Sequence, residues 1–207
     1  MRTVKKPEDR RKEIIDTAMA LFIKKGYEKT TVEDITNAME IAKGSFYYYF
    51  KTKQEVFEAC ISSLASDVID SYRNILDNKE KPAIMKLIDY IEYNFELSEH
   101  SKEKGTFDFV HSPTAELIHS KMLEQGKQKL METFTQLIKS GVEDSNFKTM
   151  DPEFTAAALL GTLNEVHELL SKRKDQCPDE QRKLVYTVIG QILGVNIYEC
   201  WKVKKYE

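Results

Sequence analysis

Two helix starts stand so close together that they dictate the architecture around them. Thr31 is followed three residues later by Asp34, and Thr52 by Glu55. In each pair a hydroxyl can cap a helix N-terminus while a carboxylate answers from the first turn. The stretch between them has room for two short helices and a tight turn, and for little else. Ile35, Ala38 and Met39 give the first of these a short apolar face ending near residue 39. Residues 40–42 are then the turn, and residues 43–50 the second short helix. Upstream, Pro7, Glu8 and Asp9 suit a first helical turn, Ile14, Ala18, Leu21 and Phe22 recur at helical spacing, and Gly26 stands where a C-terminal cap belongs. These signals predict a helix over 7–25. With a fourth helix running from Thr52 to about residue 76, the pattern is a helix-turn-helix bracketed by longer helices.

Helical punctuation continues to the end of the chain, and strand signals are nearly absent, so the expected fold class is all-α. Pro82 opens a helix carrying Ile84, Leu87, Ile88, Ile91 and Phe95, and SEHSKEKGT (98–106) reads as a loop. Ser112-Pro113 opens another helix, expected to be interrupted near Gly126 and to end at Gly141. Asp151-Pro152-Glu153 and Pro178-Asp179-Glu180 begin the last two helices, about 152–173 and 179–203. On the final one Leu184, Val185, Val188, Ile189, Ile192, Leu193, Val195 and Ile197 cover more than one face, and Gly190 and Gly194 leave space for a neighbouring helix. Such a helix needs partners on two sides. A homodimer through the last two helices supplies them as a four-helix interface; a central core position within one chain is the alternative.

The 207 residues carry 31 Lys+Arg against 34 Asp+Glu, but the charge is unevenly placed. Through Lys53 there are 12 basic and 8 acidic residues, and beyond it 19 and 26. An anionic partner would bind the basic end. No apolar run approaches the roughly 20 residues of a membrane-spanning helix, and MRTVKKPEDRRKE lacks the apolar centre of a signal peptide. The expectation is a cytoplasmic protein without membrane association. Cys60, Cys177 and Cys200 form no CxxC and read as small buried hydrophobes, and the four histidines show no metal-ligand spacing. Neither a metal nor a cofactor is expected.

The segment Gly-Ser-Phe-Tyr-Tyr-Tyr-Phe (44–50) is too aromatic to be buried whole. At 100° per residue Phe46 and Phe50 share one side of a short helix, as an i, i+4 pair able to bury. Gly44, Ser45 and Tyr48 point the other way, with Tyr47 and Tyr49 on the flanks. A phenol combines a rigid ring with a hydroxyl that can reach phosphate oxygens or base edges, and Gly44 lets the backbone approach a partner closely.

These residues, in their order ALFIKKGYEKTTVEDI (20–35) and AKGSFYYYFKTKQEVF (42–57), resemble the DNA-binding segment of the TetR family of bacterial transcriptional regulators. The resemblance covers about residues 11–56. It implies a DNA-binding domain over 1–51, with its third helix in the major groove, and a helical ligand-binding and dimerisation domain over 52–207. Carried over position by position, it implies DNA contacts from Lys43, Gly44, Ser45, Tyr47, Tyr48 and Tyr49, and phosphate contacts from Thr31 and Lys53 at helix N-termini, where free amides favour anions. Two positions depart from the family pattern: Glu40 where a turn glycine is usual, and Ala42 where a hydroxyl cap is usual.

The partners so implied are a double-stranded, palindromic DNA operator, a second copy of the chain, and a small apolar or aromatic effector that releases the repressor. Tyr72, Tyr90, Tyr93, Phe107, Phe109, His111, Met122, Met131 and Phe134 are candidates to line the effector site, although each also fits an ordinary core. The competing reading is a helical enzyme using carboxylates such as Asp108, Glu116 or Glu165 with His111 or His167. It lacks a nucleophile motif, a phosphate loop or metal spacing, and no enzymatic activity is expected.

Overall fold

The computed structural model describes residues 6–103, 105, 106, 109, 113–171 and 177–206, without the side chains of 102, 113, 114, 116–129, 167, 168, 171 and 206. Among the described residues the regular structure is helical: α1 (Pro7–Lys25), α2 (Val32–Ala38), α3 (Lys43–Tyr49), α4 (Lys53–Leu76), α5 (Ala83–Glu103), α6 (Pro113–Asp144), α7 (Pro152–Ser171), α8 (Pro178–Leu193) and α9 (Ile197–Tyr206). The N-terminal helices follow the local signals closely. Pro7 sits in the first turn of α1 with Glu8 and Asp9, and Gly26, at φ 83°, leaves the helix with its amide donating to the Phe22 carbonyl.

Several expectations fail further along. The helix from Pro113 is continuous through Gly126 to Asp144, because one glycine costs a helix only about 1 kcal/mol. Gly141 does not end it. The ring of Phe147 lies where a side chain at 141 would be, within 2.0 Å of an added Cβ, and the Phe147 amide donates to the Gly141 carbonyl. The segment from Ser98 onward, read as loop, instead extends α5 to Glu103. The final helix is two helices, since Gly194 adopts a left-handed φ of 64° and caps α8. Gly190 serves the same reversal: the Val195 carbonyl approaches within 2.6 Å of the Cβ position it lacks, and the Val195 amide donates to the Gly190 carbonyl. The two glycines therefore accommodate the chain's own turn rather than a neighbouring helix. Among the cysteines only Cys60 is fully buried; Cys177, just before α8, is exposed.

The chain forms two compact units, one within Met1–Asp70 and Glu96–Gln125, the other within Ser71–Phe95 and Gly126–Glu207. In the first, Ile14, Ala18 and Phe22 of α1 pack with Ile35, Phe46, Phe50 and the α4 residues Val56, Phe57, Cys60 and Ile61. In the second, Leu87, Ile88 and Ile91 of α5 pack with Phe134 and Ile138 of α6, Leu159 of α7, and Tyr186 and Ile189 of α8. Glu92 holds that core together from its edge. It accepts from Arg182 at 3.0 Å and from the Tyr186 hydroxyl at 2.7 Å, while Arg182 lies over the Phe95 ring.

Candidate nucleic-acid interface

α2 is started by Thr31, whose hydroxyl accepts from the Asp34 amide at 3.1 Å, while the Asp34 carboxylate accepts from the Thr31 amide at 2.9 Å. Both halves of the capping box are present. Lys25, from the last turn of α1, donates to the same carboxylate at 2.9 Å. That hydrogen bond, followed by those from Thr31, lowers Asp34 to about 2. The turn after α2 carries Glu40 at φ 52°, a left-handed conformation that glycine adopts without a Cβ penalty. α3 then begins at Ala42 without any side-chain cap.

The aromatic segment divides as its helical angles predict. Phe46 is fully buried and Phe50 nearly so, with Arg11 stacked over the Phe50 ring. Tyr48 is 76% exposed and Tyr47 52%, and Tyr49 is half-buried against Tyr48. Gly44 faces open space, so no internal neighbour requires it to lack a side chain. Ser45 is half-buried, its amide donating to the Ala42 carbonyl. Thr31, Lys43, Gly44, Ser45, Tyr47, Tyr48 and Tyr49 thus occupy α3 and the start of α2 as the sequence implied.

Lys53 shows a feature the sequence did not reveal. Its ammonium donates to the Tyr27 carbonyl at 2.9 Å and lies 4.1 Å from the Tyr27 ring centroid, tying the start of α4 to the α1–α2 turn. Tyr27 in turn packs on Phe57 and Phe22. The Thr52 hydroxyl accepts from the Glu55 amide, as its spacing implied, but Glu55 returns its carboxylate to the Lys51 amide rather than to Thr52. A second unforeseen contact is the ion pair of Lys43 with Glu33 at 3.1 Å.

The effector candidates separate. Tyr72, Tyr90, Tyr93 and Phe134 form one aromatic cluster, with ring centroids 4.7 to 5.7 Å apart in successive pairs, and Met131 packs against the same core. Within the cluster the Tyr72 hydroxyl donates to the Asn94 side chain at 2.6 Å, and burial pushes the Tyr90 phenol up to about 12. Asn94 belongs to this polar group, yet nothing about an isolated asparagine in an apolar helix singled it out. Phe109 lies elsewhere: it is buried in the first unit, parallel to Phe22 and edge-on to Phe57. Phe107 and His111 lie outside the described residues, as does the side chain of Met122.

Residues 14–60 match the family model for bacterial regulatory proteins of the tetR family. That match makes residues 14–60 a DNA-binding segment of the TetR type. Over 147 residues it is 26% identical to the HTH-type transcriptional repressor KstR2 of Mycolicibacterium smegmatis, covering 70% of this chain and 71% of the repressor. The fold is also that of a TetR/AcrR-family regulator from Thermobifida fusca (TM-score 0.65, 23% identity, 89% of this chain and 97% of that one). It is shared with SmeT, the repressor of a Stenotrophomonas maltophilia multidrug efflux pump, in its complex with triclosan (TM-score 0.64, 19% identity, 90% of each chain). The helix-turn-helix is thus of the kind found in bacterial transcriptional regulators, and the curated relatives it resembles are transcriptional repressors.

Proposed function

We propose that the chain is a repressor that binds a palindromic DNA operator as a homodimer and is released by a small apolar or aromatic effector. The observation that carries this reading is the two-sided character of α3. Phe46 and Phe50 anchor one side, while Tyr47 and Tyr48 stand in solvent beside a Gly44 that nothing internal constrains. Burial does not account for two adjacent exposed phenols, whereas a groove of phosphates and base edges does. Thr31, Lys43, Ser45, Tyr49 and Lys53 complete the DNA-facing set, and residues 1–51 are the DNA-binding part of the chain. Lys53 grips a phosphate from the position in which Tyr27 now holds it, two of its ammonium protons being available beside the carbonyl bond.

Residues 52–207 carry the effector site and the dimer contact. Tyr72, Tyr90, Tyr93, Met131 and Phe134 offer apolar rings with phenolic hydroxyls and an amide, a lining suited to a hydrophobic molecule with one or two polar groups. SmeT, of the same fold, is known in complex with triclosan, a small aromatic compound. Two recognition helices in a dimer must stand about 34 Å apart, or a multiple of it, to enter successive major grooves. An effector that favours another separation lowers affinity by population shift.

A gel-shift titration against DNA upstream of the protein's own gene tests the reading. Tyr48→Ala should remain folded and lose the operator, and Lys53→Ala should weaken all duplexes alike with a salt slope smaller by about 0.9 per protomer. Phe46→Ala should instead lose about 3–5 kcal/mol of stability, seen as a lowered urea midpoint. A wild-type protein that prefers no duplex over random DNA would refute the proposal.

A further inference from the structure

Glu33 is a carboxylate on the face of the helix-turn-helix assigned to DNA, where a phosphate-binding surface has no evident use for one. The cap of α2 does not need it. Thr31 and Asp34 complete the capping box between themselves, and Lys25 pairs with Asp34. The Glu33 side chain instead reaches across to the first residue of α3, holding the Lys43 ammonium at 3.1 Å with both partners more than half exposed (63% and 56%).

We infer that Glu33 is a restraining counter-ion for Lys43, which lowers the protein's affinity for DNA of any sequence. The inference rests on the DNA-binding reading above. In the free protein the Lys43 charge is already neutralised from its own surface. To contact a phosphate, Lys43 must exchange Glu33 for the phosphate oxygen, and the freed carboxylate is left beside the same polyanion. Each phosphate contact made by an unencumbered cation contributes about 0.9 to the slope of log affinity against log salt. A cation that arrives already paired contributes less, because its neutralisation exchanges one anion for another. Exposed pairs of this kind are weak, at most about a fivefold factor in an equilibrium, so the exchange remains reversible and sequence-independent. The effect is to hold down occupancy of random genomic DNA without altering the choice among sequences. Lys53 differs, its internal partner being an uncharged carbonyl and ring that leave its full charge for a phosphate.

The test is a double-mutant cycle of Glu33→Gln and Lys43→Gln, using a duplex selected by the wild-type protein from a random pool and a scrambled duplex of equal length. Affinities are measured by fluorescence anisotropy between 50 and 200 mM salt. Glu33→Gln is expected to tighten both duplexes by a similar factor, up to about fivefold per protomer, with a salt slope steeper by up to about 0.9 per protomer. In the Lys43→Gln background the gain should shrink to the part that comes from repulsion between the carboxylate and phosphate. Tightening of equal size without Lys43 would overturn the inference, since Glu33 would then act only through that repulsion. So would weakened binding, or a changed preference between the duplexes, because a glutamate can also read the cytosine amino group directly. Wild-type failure to select any duplex is a different result, which removes the DNA-binding reading itself and this inference with it.

Discussion

Asp34 is the residue whose chemistry is most firmly tied to the form of the DNA-binding unit. It receives the Lys25 ammonium and the Thr31 amide and hydroxyl, so it links α1 to the first turn of α2. Its pKa, about 2 in the folded protein, lies below the value near 3.9 of an unfolded aspartate. A carboxylate depressed on folding contributes stability that is fully present above the unfolded pKa and is lost as pH falls through the folded one. The window is therefore from about pH 4 down to about pH 2. Asp89, lowered by Lys204 and Lys81 against the opposing effect of burial, and Asp179, lowered by Lys205, add to the same acid limb elsewhere. The informative quantity is thus a difference: Asp34→Asn should be less stable than wild type at pH 6, and the two urea midpoints should converge as pH drops to 2.5. Parallel curves would show that the Lys25–Asp34–Thr31 link does not set the titration.

At the scale of elements, α3 is short and poorly supported by its own sequence. Ala42 provides no cap, and Glu40 occupies a left-handed turn position, so both departures from the family pattern fall on the connection that aims the recognition helix. Ala42→Ser should stabilise by about 1 kcal/mol through a hydroxyl at the N-terminus of α3. Glu40→Gly should gain about 1 kcal/mol by removing the Cβ penalty. Urea denaturation checks both, and no gain from either would mean that the turn is relaxed as it stands. The same helix shows what a sequence can reveal. The burial of Phe46 and Phe50 and the exposure of Tyr48 follow from a 100° repeat, and the ends of α1 and α2 follow from caps within one turn. Where contacts distant in sequence decide, the signal is absent. Gly126 looks like a break until a continuous helix crosses it, and Gly190 looks like a helix-packing site until the carbonyl of Val195 fills the space. Lys53 and Tyr27 are 26 residues apart, and Lys43 and Glu33 ten, with no periodicity to connect them. Phe109 illustrates a further limit, because an apolar ring between two helical segments carries no mark of which core will take it.

At the scale of the molecule, the second unit carries its own internal ties and an unmet apolar demand. Glu92, Arg182 and Tyr186 join α5 to α8, and Lys204 of α9 pairs with Asp89 of α5, so these helices are fixed without help from a second chain. Phe154 and Leu169 on α7, and Leu184 and Val188 on α8, nevertheless remain exposed. Leu184 and Val188 are four residues apart and share a face, and scattered exposure does not account for such a pair on a helix packed against another that carries two more large exposed apolar residues. In the homodimer proposed above, these residues face their copies across the two-fold axis. The double substitution Leu184→Glu with Val188→Glu places four like charges in that contact, at two positions exposed within the chain. It should change the stability of the isolated fold by no more than about 0.5 kcal/mol, as surface substitutions usually do. In sedimentation velocity the variant should run as a monomer at micromolar concentrations where wild type runs as a dimer. Its operator affinity should fall by about a hundredfold or more, because the second half-site is no longer delivered at the high effective concentration that linkage provides. A variant that stays dimeric and keeps its operator would locate the interface on another face, and the exposed residues of α7 and α8 would then have to be explained without a second copy of the chain.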